Sequence, residues 1–313
     1  MIEGAVIIAV LASAIRLATP LMLASLGGVF SERSGVTNIG LEGIMIVGAF
    51  FAVLFTQITG NPWFGVLAAI TFGMLTASLL GVLAINLRGN QIIAGVAINL
   101  LAISLTAFML KLIWHTTGST PSVPKALTTN PEIFKFLEKI PVIGDMFSRF
   151  TPFIYMAFLL VGVSYYVLFK TPLGLRIRAV GEHPRAADTV GISVYKIRWL
   201  CVLISGALAG LAGASLSIGT ISLFRDGMVA GQGFIALAAM IFGKWHPIGA
   251  MLACLFFGLA SAMQILAQSI GINWPTEILI MIPYIATIIA LVGVVGKAVA
   301  PAADGLPYEK GEK

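Results

Sequence analysis

Charged residues are scarce in this chain, and their scarcity excludes most classes of soluble protein. Only 10% of the 313 residues are Asp, Glu, Lys or Arg, whereas 58% are hydrophobic and the mean hydropathy is +1.00. Several apolar runs reach about 20 residues, the length that an α-helix needs to cross a bilayer. This composition predicts one membrane domain over residues 1–313, surrounded by lipid, rather than several soluble domains.

Cysteine and histidine are too few and too scattered for metal chemistry. Cys201 and Cys254 both lie inside apolar runs, so the sequence predicts small packing residues rather than disulfides or thiolate ligands. The three histidines lie on different loops, and the chain has no HExxH motif. We therefore expect no metal site.

Motifs for nucleotide hydrolysis and nucleophilic catalysis are also missing. Gly243-Lys244 and Gly296-Lys297 lack both the upstream glycine and the following Ser or Thr of a Walker A motif. The sequence thus predicts a non-enzyme that binds no cofactor itself. The net charge of +6 does not indicate a nucleic-acid partner, because the basic residues are scattered among apolar segments, as in inner membrane loops.

Apolar segments fill most of the chain. We predict about nine transmembrane helices, roughly eight to ten, so the expected fold class is an all-α polytopic membrane protein. The first segment lacks the basic n-region of a signal peptide and is expected to be a retained helix. The segments are residues 5–29, 40–58, 62–86, 91–113, 152–170, 199–220, 229–243, 247–268 and 276–296.

The distribution of basic residues orients these segments. Residues 170–198 contain six Lys or Arg and are therefore predicted to be a cytoplasmic loop. Alternating outward from this loop gives twelve basic residues inside and five outside. The N-terminus is then outside and the tail, residues 297–313, is cytoplasmic; one miscounted span would change the first assignment.

Arg16 lies near the middle of the first segment, where a guanidinium facing lipid would be costly. Two roles remain open for it. One is a structural ion pair inside the bundle, for which Glu42 is the nearest acidic candidate in sequence. The other is a role in transport.

A polar stretch with three glycines, residues 31–43 (SERSGVTNIGLEG), interrupts the apolar pattern. The glycines break helical continuity, and Asn38 and Glu42 are polar. In lipid, irregular backbone is tolerated only where protein or a water-filled cavity satisfies it. The stretch is therefore either a cytoplasmic turn or part of a solute path, and its charges place Glu32 and Arg33 in an inner turn.

Residues 114–151 are predicted to form a proline-rich external loop. Asn130 and Pro131 are typical of a helix start, and apolar residues recur at helical spacing over residues 133–140. The short helix is expected to lie flat on the outer surface. A structural lid and a docking site for an external solute-delivery protein both remain open.

Two apolar segments share a pattern at an offset of 185 residues. Pro62 and Pro247 each begin a run with Phe-Gly ten and eleven positions on. The predicted topology makes the two copies inverted, a recurring transporter plan in which the solute site lies at the repeat interface. The same offset pairs Gly48 with Gly233, so the stretch around Gly231 (residues 231–243) is a candidate second-half counterpart of the stretch at residues 31–43.

Gly206 and Gly210 form a GxxxG motif that allows close helix packing. An intrachain contact and a contact with a partner subunit are equally compatible with it. In the cytoplasmic loop, Pro184 suits a first helical turn and Gly191 ends a short helix over residues 185–190. By itself this loop is either a solvated connection or a helix that inserts into a cytoplasmic partner.

The combination resembles the permease subunits of bacterial ABC importers, in the branch that handles simple sugars, nucleosides and, more distantly, branched-chain amino acids. The resemblance covers nearly the whole chain and rests on residues 15–50 (IRLATPLMLASLGGVFSERSGVTNIGLEGIMIVGAF), 181–192 (GEHPRAADTVGI) and 233–250 (GFIALAAMIFGKWHPIGA). Residues 31–43 look most like nucleoside-type permeases, which work with a lipoprotein receptor.

The resemblance implies a permease-like fold in the bacterial cell membrane, with ATP and Mg²⁺ acting through a partner ATPase. The other implied partners are an external solute-binding lipoprotein and a second permease, either a homologous chain or a second copy. In that family, the loop matching residues 181–192 is the coupling helix that docks on the ATPase. The implied coupling residues are Glu182, Pro184, Arg185, Ala186, Ala187, Asp188 and Gly191.

The expected mechanism is alternating access, with a path lined by polar side chains. Amides supply both donors and acceptors, as a ribose or a purine edge requires. Each candidate could instead make a structural hydrogen bond between helices. The candidates are Asn38, Glu42, Gln91, Asn99 and Gln232.

Two other classes of function remain open. An ion-coupled secondary transporter would use Glu42, Glu277 and Arg16 as intramembrane ionisable groups, but would leave the basic loop unexplained. A membrane scaffold without transport is the third class. The sequence does not identify the solute.

Overall fold

The computed structural model describes residues 2–129, 131, 144–147, 150–270, 281, 285 and 298–310, and within them the fold is all-helical. Two π-helical turns, Val82–Asn86 and Ser217–Ile221, extend α3 and α9. The helices are α1 (Ile2–Arg33), α2 (Leu41–Thr59), α3 (Pro62–Gly81), α4 (Gln91–Trp114), α5 (Gly144–Phe147), α6 (Pro152–Lys170), α7 (Pro172–Glu182), α8 (Pro184–Thr189), α9 (Val194–Leu216), α10 (Gln232–Phe242) and α11 (Pro247–Ser269).

Seven helices of the described chain are long and apolar enough to cross a membrane, which confirms a multi-pass helical protein. The predicted span at residues 229–243 is wrong in length, because α10 has only 11 residues. At 1.5 Å per residue it covers about 16 Å, roughly half of a bilayer core. The predicted span at 276–296 and the predicted helix at 133–140 lie outside the described residues, so the total of about nine stays a prediction.

Local sequence explains where the helices begin. Asn61 accepts a hydrogen bond from the Trp63 amide, and Pro62 occupies the first turn of α3. Asn90 caps α4 by accepting hydrogen bonds from the amides of Ile92 and Ile93. A side-chain cap supplies an acceptor for N–H groups that a helix start cannot pair internally, and proline in the first turn has no N–H group to leave unpaired.

Helix α9 lies at the centre of the bundle and packs against α1, α2 and α3. Its glycines allow this approach: a Cβ on Gly210 would lie 2.2 Å from the carbonyl oxygen of Ala69 in α3. On the other helix, a Cβ on Gly48 of α2 would lie 2.4 Å from the carbonyl oxygen of Gly210. The GxxxG motif therefore serves an intrachain contact, which resolves the two alternatives left open by the sequence.

The described part of residues 114–151, the predicted external loop, is attached to the C-terminal end of α9. The Thr120 amide donates to the Phe224 carbonyl at 2.9 Å, and the Val123 amide donates to the Ser222 carbonyl at 2.7 Å. Phe224 is buried, and its ring lies edge-on to Phe50 with centroids 5.3 Å apart. The loop thus covers the end of the central helix and satisfies backbone groups there.

The two segments with the shared pattern both form helix pairs. Pro62 and Pro247 occupy the first turns of α3 and α11, so each lies at the start of the second helix of its pair. The pairs differ in their first helix, since α2 has 19 residues and α10 has 11. The inverted relation between the pairs stays a prediction.

Substitution of Gly210 by alanine is expected to destabilise the bundle, because the new methyl group would overlap the α3 backbone. Overpacking of this kind typically costs about 1–3 kcal/mol. The melting temperature of the detergent-solubilised protein should fall. Gly162→Ala in α6 is the matched control, since a Cβ there meets nothing within 4 Å, and an equal effect of both variants would contradict the packing argument.

Candidate solute path and coupling surface

A buried carboxylate holds the start of the half-length helix α10. The Gly231 amide donates to Glu42 Oε1 at 2.8 Å, and the Gly233 amide donates to Glu42 Oε2 at 2.7 Å. Glu42 lies in the first turn of α2, and a Cβ on Gly233 would lie 2.5 Å from its backbone nitrogen. The carboxylate thus satisfies unpaired N–H groups of a helix start and complements its dipole.

The other end of α10 is fixed beside the end of α1. The Arg33 Nε donates to the Trp245 carbonyl at 2.9 Å, and Trp245 Nε1 donates to Glu32 Oε2 at 2.6 Å. Helix α10 is about 16 Å long, about half the thickness of a bilayer core of about 30 Å. Broken helices of this kind are typical of solute sites in transporters.

Three of the predicted path residues bind the turn at residues 34–40 to neighbouring helices. Asn38 Nδ2 donates to Ser205 Oγ of α9 at 2.9 Å. Asn99 of α4 accepts from the Gly43 amide at 2.7 Å and donates to the Ile39 carbonyl at 3.0 Å. Gln91 accepts from the Thr37 amide at 2.7 Å. All three side chains are buried, so the structure displays the interhelical bonding that the sequence left open.

These three residues and Glu42 all make hydrogen bonds within the protein. Their contact with solute stays a prediction. Two of their polar atoms, Asn38 Oδ1 and Gln91 Nε2, are buried without a hydrogen-bond partner in the described chain. Gln232 differs from the other four. It is half-buried at the start of α10 and lines a cavity of about 170 Å³ together with Arg16.

Arg16 does not pair with Glu42, the nearest acidic candidate in sequence for the ion pair that the sequence left open. The reason is that Glu42 already accepts two backbone hydrogen bonds from the start of α10. Arg16 is exposed and makes no hydrogen bond or ion pair with any residue that the structure describes.

The basic loop at residues 170–198 contains two consecutive helices, α7 and α8. Ala187 is buried and anchors α8, with the Ile192 amide donating to its carbonyl at 3.0 Å. Gly191 adopts a φ of 85°, which suits glycine and ends the helix. Of the other implied coupling residues, Glu182, Arg185 and Ala186 are exposed, whereas Pro184 and Asp188 are half-buried. The short helix predicted over residues 185–190 is therefore present, displaced by one residue.

Comparison with known proteins identifies the family. A family profile described as "Branched-chain amino acid transport system / permease component" matches residues 10–291. The chain belongs to this family of permeases.

Named relatives extend this result. The chain is 47% identical to the guanosine ABC transporter permease protein NupQ of Bacillus subtilis (strain 168), over 95% of each chain. It is 45% identical to the nucleoside ABC transporter permease protein NupC of Lactococcus lactis subsp. cremoris (strain MG1363), over 93% of this chain and 94% of the relative. It is also 30% identical to a second B. subtilis protein, the guanosine ABC transporter permease protein NupP, over 90% and 82% of the respective chains.

These relatives are ABC transporter permeases, so the chain is a membrane-spanning ABC permease subunit. Permeases of this kind are not enzymes and act with an ATPase. The absence of a Walker A motif in the sequence agrees with this division of labour.

The C-terminal segment of the permease, residues 298–310, folds back onto α7 and α9. The Ala303 amide donates to the Gly181 carbonyl at 2.8 Å, at the end of α7. Arg198 Nη1 of α9 donates to the Leu306 carbonyl at 2.9 Å, although this arginine is only 1% exposed. Glu309 forms an ion pair with Arg88 in the turn between α3 and α4.

Sequence reasoning treated this segment only as a tail and missed its docking. Arg198 is the signal that was available, because a guanidinium at the edge of an apolar run needs acceptors when it is buried. The acceptors lie more than 100 positions away in sequence, so only the folded chain identifies them.

Asp304 anchors the docked segment in a partly apolar environment. Its Oδ1 accepts a hydrogen bond from the Thr37 hydroxyl at 3.0 Å. Burial raises the pKa of Asp304 to about 6, although Thr37, the Gly305 amide and the positive charge of Arg198 all oppose this rise. Glu32 also contacts the carboxyl group by a hydrogen bond.

Docking of residues 298–310 is therefore expected to strengthen as the pH falls from about 7.5 to 5. The docked segment holds the Asp304 proton more tightly than the free segment, whose ordinary pKa is 3.8. Linkage gives roughly a tenfold change in the docking equilibrium over this interval. Hydrogen exchange of the Ala302 and Ala303 amides, corrected for intrinsic rates, measures it.

Asp304→Asn is the control, because the neutral amide keeps the shape of the side chain and removes its titration. The change in the protection of these amides between the two pH values should then be clearly smaller than in wild type, although Glu32, which contacts the same side chain, remains ionisable. Wild-type protection that does not change with pH would contradict this assignment, as would an equal change in the variant.

Proposed function

We propose that this permease imports solutes of the nucleoside and simple-sugar class across the bacterial cell membrane by alternating access. Within this class, nucleosides are the favoured solutes. The observation that carries the proposal is the 47% identity, over 95% of each chain, to a protein named as a guanosine ABC transporter permease. A separate ATPase hydrolyses ATP with Mg²⁺ and drives the cycle. The family leaves no support for an ion-coupled secondary transporter.

The proposed partners are a second, homologous permease chain and an external solute-binding lipoprotein. B. subtilis contains two proteins named as guanosine permeases, and this chain is 47% identical to one and 30% identical to the other. Two divergent permeases of one organism that are both named for guanosine favour a pair of homologous chains over two identical copies. The external loop, residues 114–151, is the proposed contact of the lipoprotein.

The proposed topology places the C-terminus in the cytoplasm and counts about nine spans in two inverted halves. The position of the docked tail, residues 298–310, supports a cytoplasmic C-terminus. Its contacts with α7 and with Arg88 place it beside the loop that is richest in basic residues. Basic loops favour the cytoplasmic side.

The proposed contact with the ATPase is α8, with Glu182, Arg185 and Ala186 exposed around it. Its buried Ala187 and the hydrogen bonds at Gly191 and Ile192 make α8 a compact unit on the end of α7. Such a unit can enter a cleft on the ATPase and transmit its closure.

Uptake measurements test the function directly. The permease, its partner permease, the ATPase and the lipoprotein would be reconstituted together in liposomes with radiolabelled guanosine. We expect uptake that requires ATP and persists with a protonophore. Uptake that the protonophore abolishes, or the absence of nucleoside uptake with active ATPase, would contradict the proposal.

Substitution of Ala186 by aspartate tests the coupling contact, because a buried carboxylate without a partner opposes docking. We expect ATPase binding to weaken by about tenfold or more, within the range seen for central interface residues. Solute-stimulated ATP hydrolysis should fall with it.

Ser193→Asp is the matched control, since it adds the same group at the exposed start of α9, where aspartate is a favourable cap. Co-purification of the ATPase and its stimulated activity are the measurements. Normal values for Ala186→Asp would exclude α8 as the contact.

A further inference from the structure

Arg16 is a guanidinium in the membrane-spanning helix α1 that no described residue neutralises. It lies 17 residues before Arg33, or about 26 Å along the helix from the inner turn. It is exposed and has no hydrogen-bond or ion-pair partner in the described part of the chain. A charge facing lipid within the membrane is costly, and Arg16 borders two cavities of the described chain that could hold a polar group.

Arg16 borders two adjoining cavities, and the larger one has a mixed, mostly apolar lining. The cavities have volumes of about 170 and 50 Å³, and both also contact Pro20 and Thr220. The apolar residues that line the larger cavity are Leu17, Pro20, Leu21, Leu216, Ile235 and Phe257. The larger cavity contains the Gln232 amide and the Ser261 hydroxyl, neither of which has a side-chain hydrogen bond in the described chain. No described acidic residue lines either cavity.

The hydroxyl groups near Arg16 present acceptors to the cavity. Thr220 donates its proton to the Ser215 carbonyl at 2.9 Å, and Thr19 donates to the Ile15 carbonyl at 2.8 Å. Their remaining lone pairs can accept hydrogen bonds from a solute. The site therefore combines the planar guanidinium of Arg16, which donates, with several hydroxyl acceptors and the side-chain amide of Gln232.

We propose that Arg16, Gln232, Thr220 and Ser261 bind a 6-oxopurine nucleoside on its way through the permease. This inference rests on the proposed function and names the group that reads the base. The guanidinium fork fits the adjacent O6 and N7 acceptors of a guanine edge, which is the commonest specific arginine contact with a base. The hydroxyls and the amide bind the ribose and the remaining base atoms.

The start of α10 is not available to a phosphate group, so the proposed solute is a nucleoside rather than a nucleotide. Phosphate sites commonly use the free N–H groups of a helix start. At α10 two of these groups already donate to Glu42, whose carboxylate complements the helix dipole. Arg16 by itself would attract an anion as well, so uptake of guanosine monophosphate is a direct test of this choice. The cavity volume of about 170 Å³ is below the roughly 300 Å³ of a whole small-molecule site, so the cavity accommodates one end of the solute.

A comparison of guanosine with 7-deazaguanosine tests the contact, because the analogue has a carbon in place of the N7 acceptor. Uptake of both would be measured in liposomes that contain the complete transporter, for wild type and Arg16→Gln. The lipoprotein contributes the same preference in both cases, so the change in the ratio of the two uptake rates reports on Arg16. We expect the preference for guanosine to fall by about fivefold or more in the variant.

Arg225→Gln is the matched control, since this arginine is exposed on the turn before α10 and lines neither cavity. It should keep the wild-type ratio. Arg16→Lys retains the charge without the planar fork and provides a second test if the glutamine variant does not assemble. Its ratio should also fall.

An unchanged ratio in an assembled Arg16 variant would overturn the inference, even if total uptake decreased, because Arg16 would then act on structure or on a partner. Efficient uptake of guanosine monophosphate by wild type would also overturn it. The proposed function would survive the first result. Wild type that imports no nucleoside would instead overturn the proposed function together with the inference.

Discussion

The carboxylate of Glu42 is the interaction on which the centre of this permease depends. A helix that begins inside a membrane exposes N–H groups that lipid cannot satisfy. Here the amides of Gly231 and Gly233 both donate to one buried side chain of α2. Because the partner belongs to the protein, α10 can begin within the bilayer without a bound ion, and the cavity beside Gln232 can remain between helices.

Close packing around α9 makes this arrangement possible. Gly48 and Gly73 of α2 and α3 approach the backbone of Gly210 so closely that any side chain would overlap it. Apolar burial gives little drive for helices to associate in lipid, so such contacts and hydrogen bonds carry the association. The rigid core of α2, α3 and α9 then provides a fixed frame beside the shorter α10.

The sequence was sufficient for the class of fold and for most helices, since composition, prolines in first turns and asparagine caps are local signals. It failed where a partner is distant in the chain. The run at residues 229–243 is apolar throughout, and only Glu42, 189 positions before Gly231, shows why the helix begins at Gln232. The docked tail was missed for the same reason.

The candidate site shows the same limit. Asn38, Gln91 and Asn99 were correctly recognised as unusual polar residues, but their partners are backbone and side-chain groups of other helices. Arg16 was recognised as costly, but Glu42, its nearest acidic candidate in sequence, accepts hydrogen bonds from the start of α10 instead. Polarity inside an apolar segment predicts that a residue has a partner, whereas only packing determines which one.

One continuous set of contacts joins the end of α7 to the cavity beside Gln232. At the end of α7, Gly181 accepts a hydrogen bond from Ala303 and packs against the Arg33 carbonyl. Arg33 binds the Trp245 carbonyl just beyond the end of α10, and the start of α10 carries Gln232. A displacement of α7 that preserves these contacts must therefore move α10 and change the cavity.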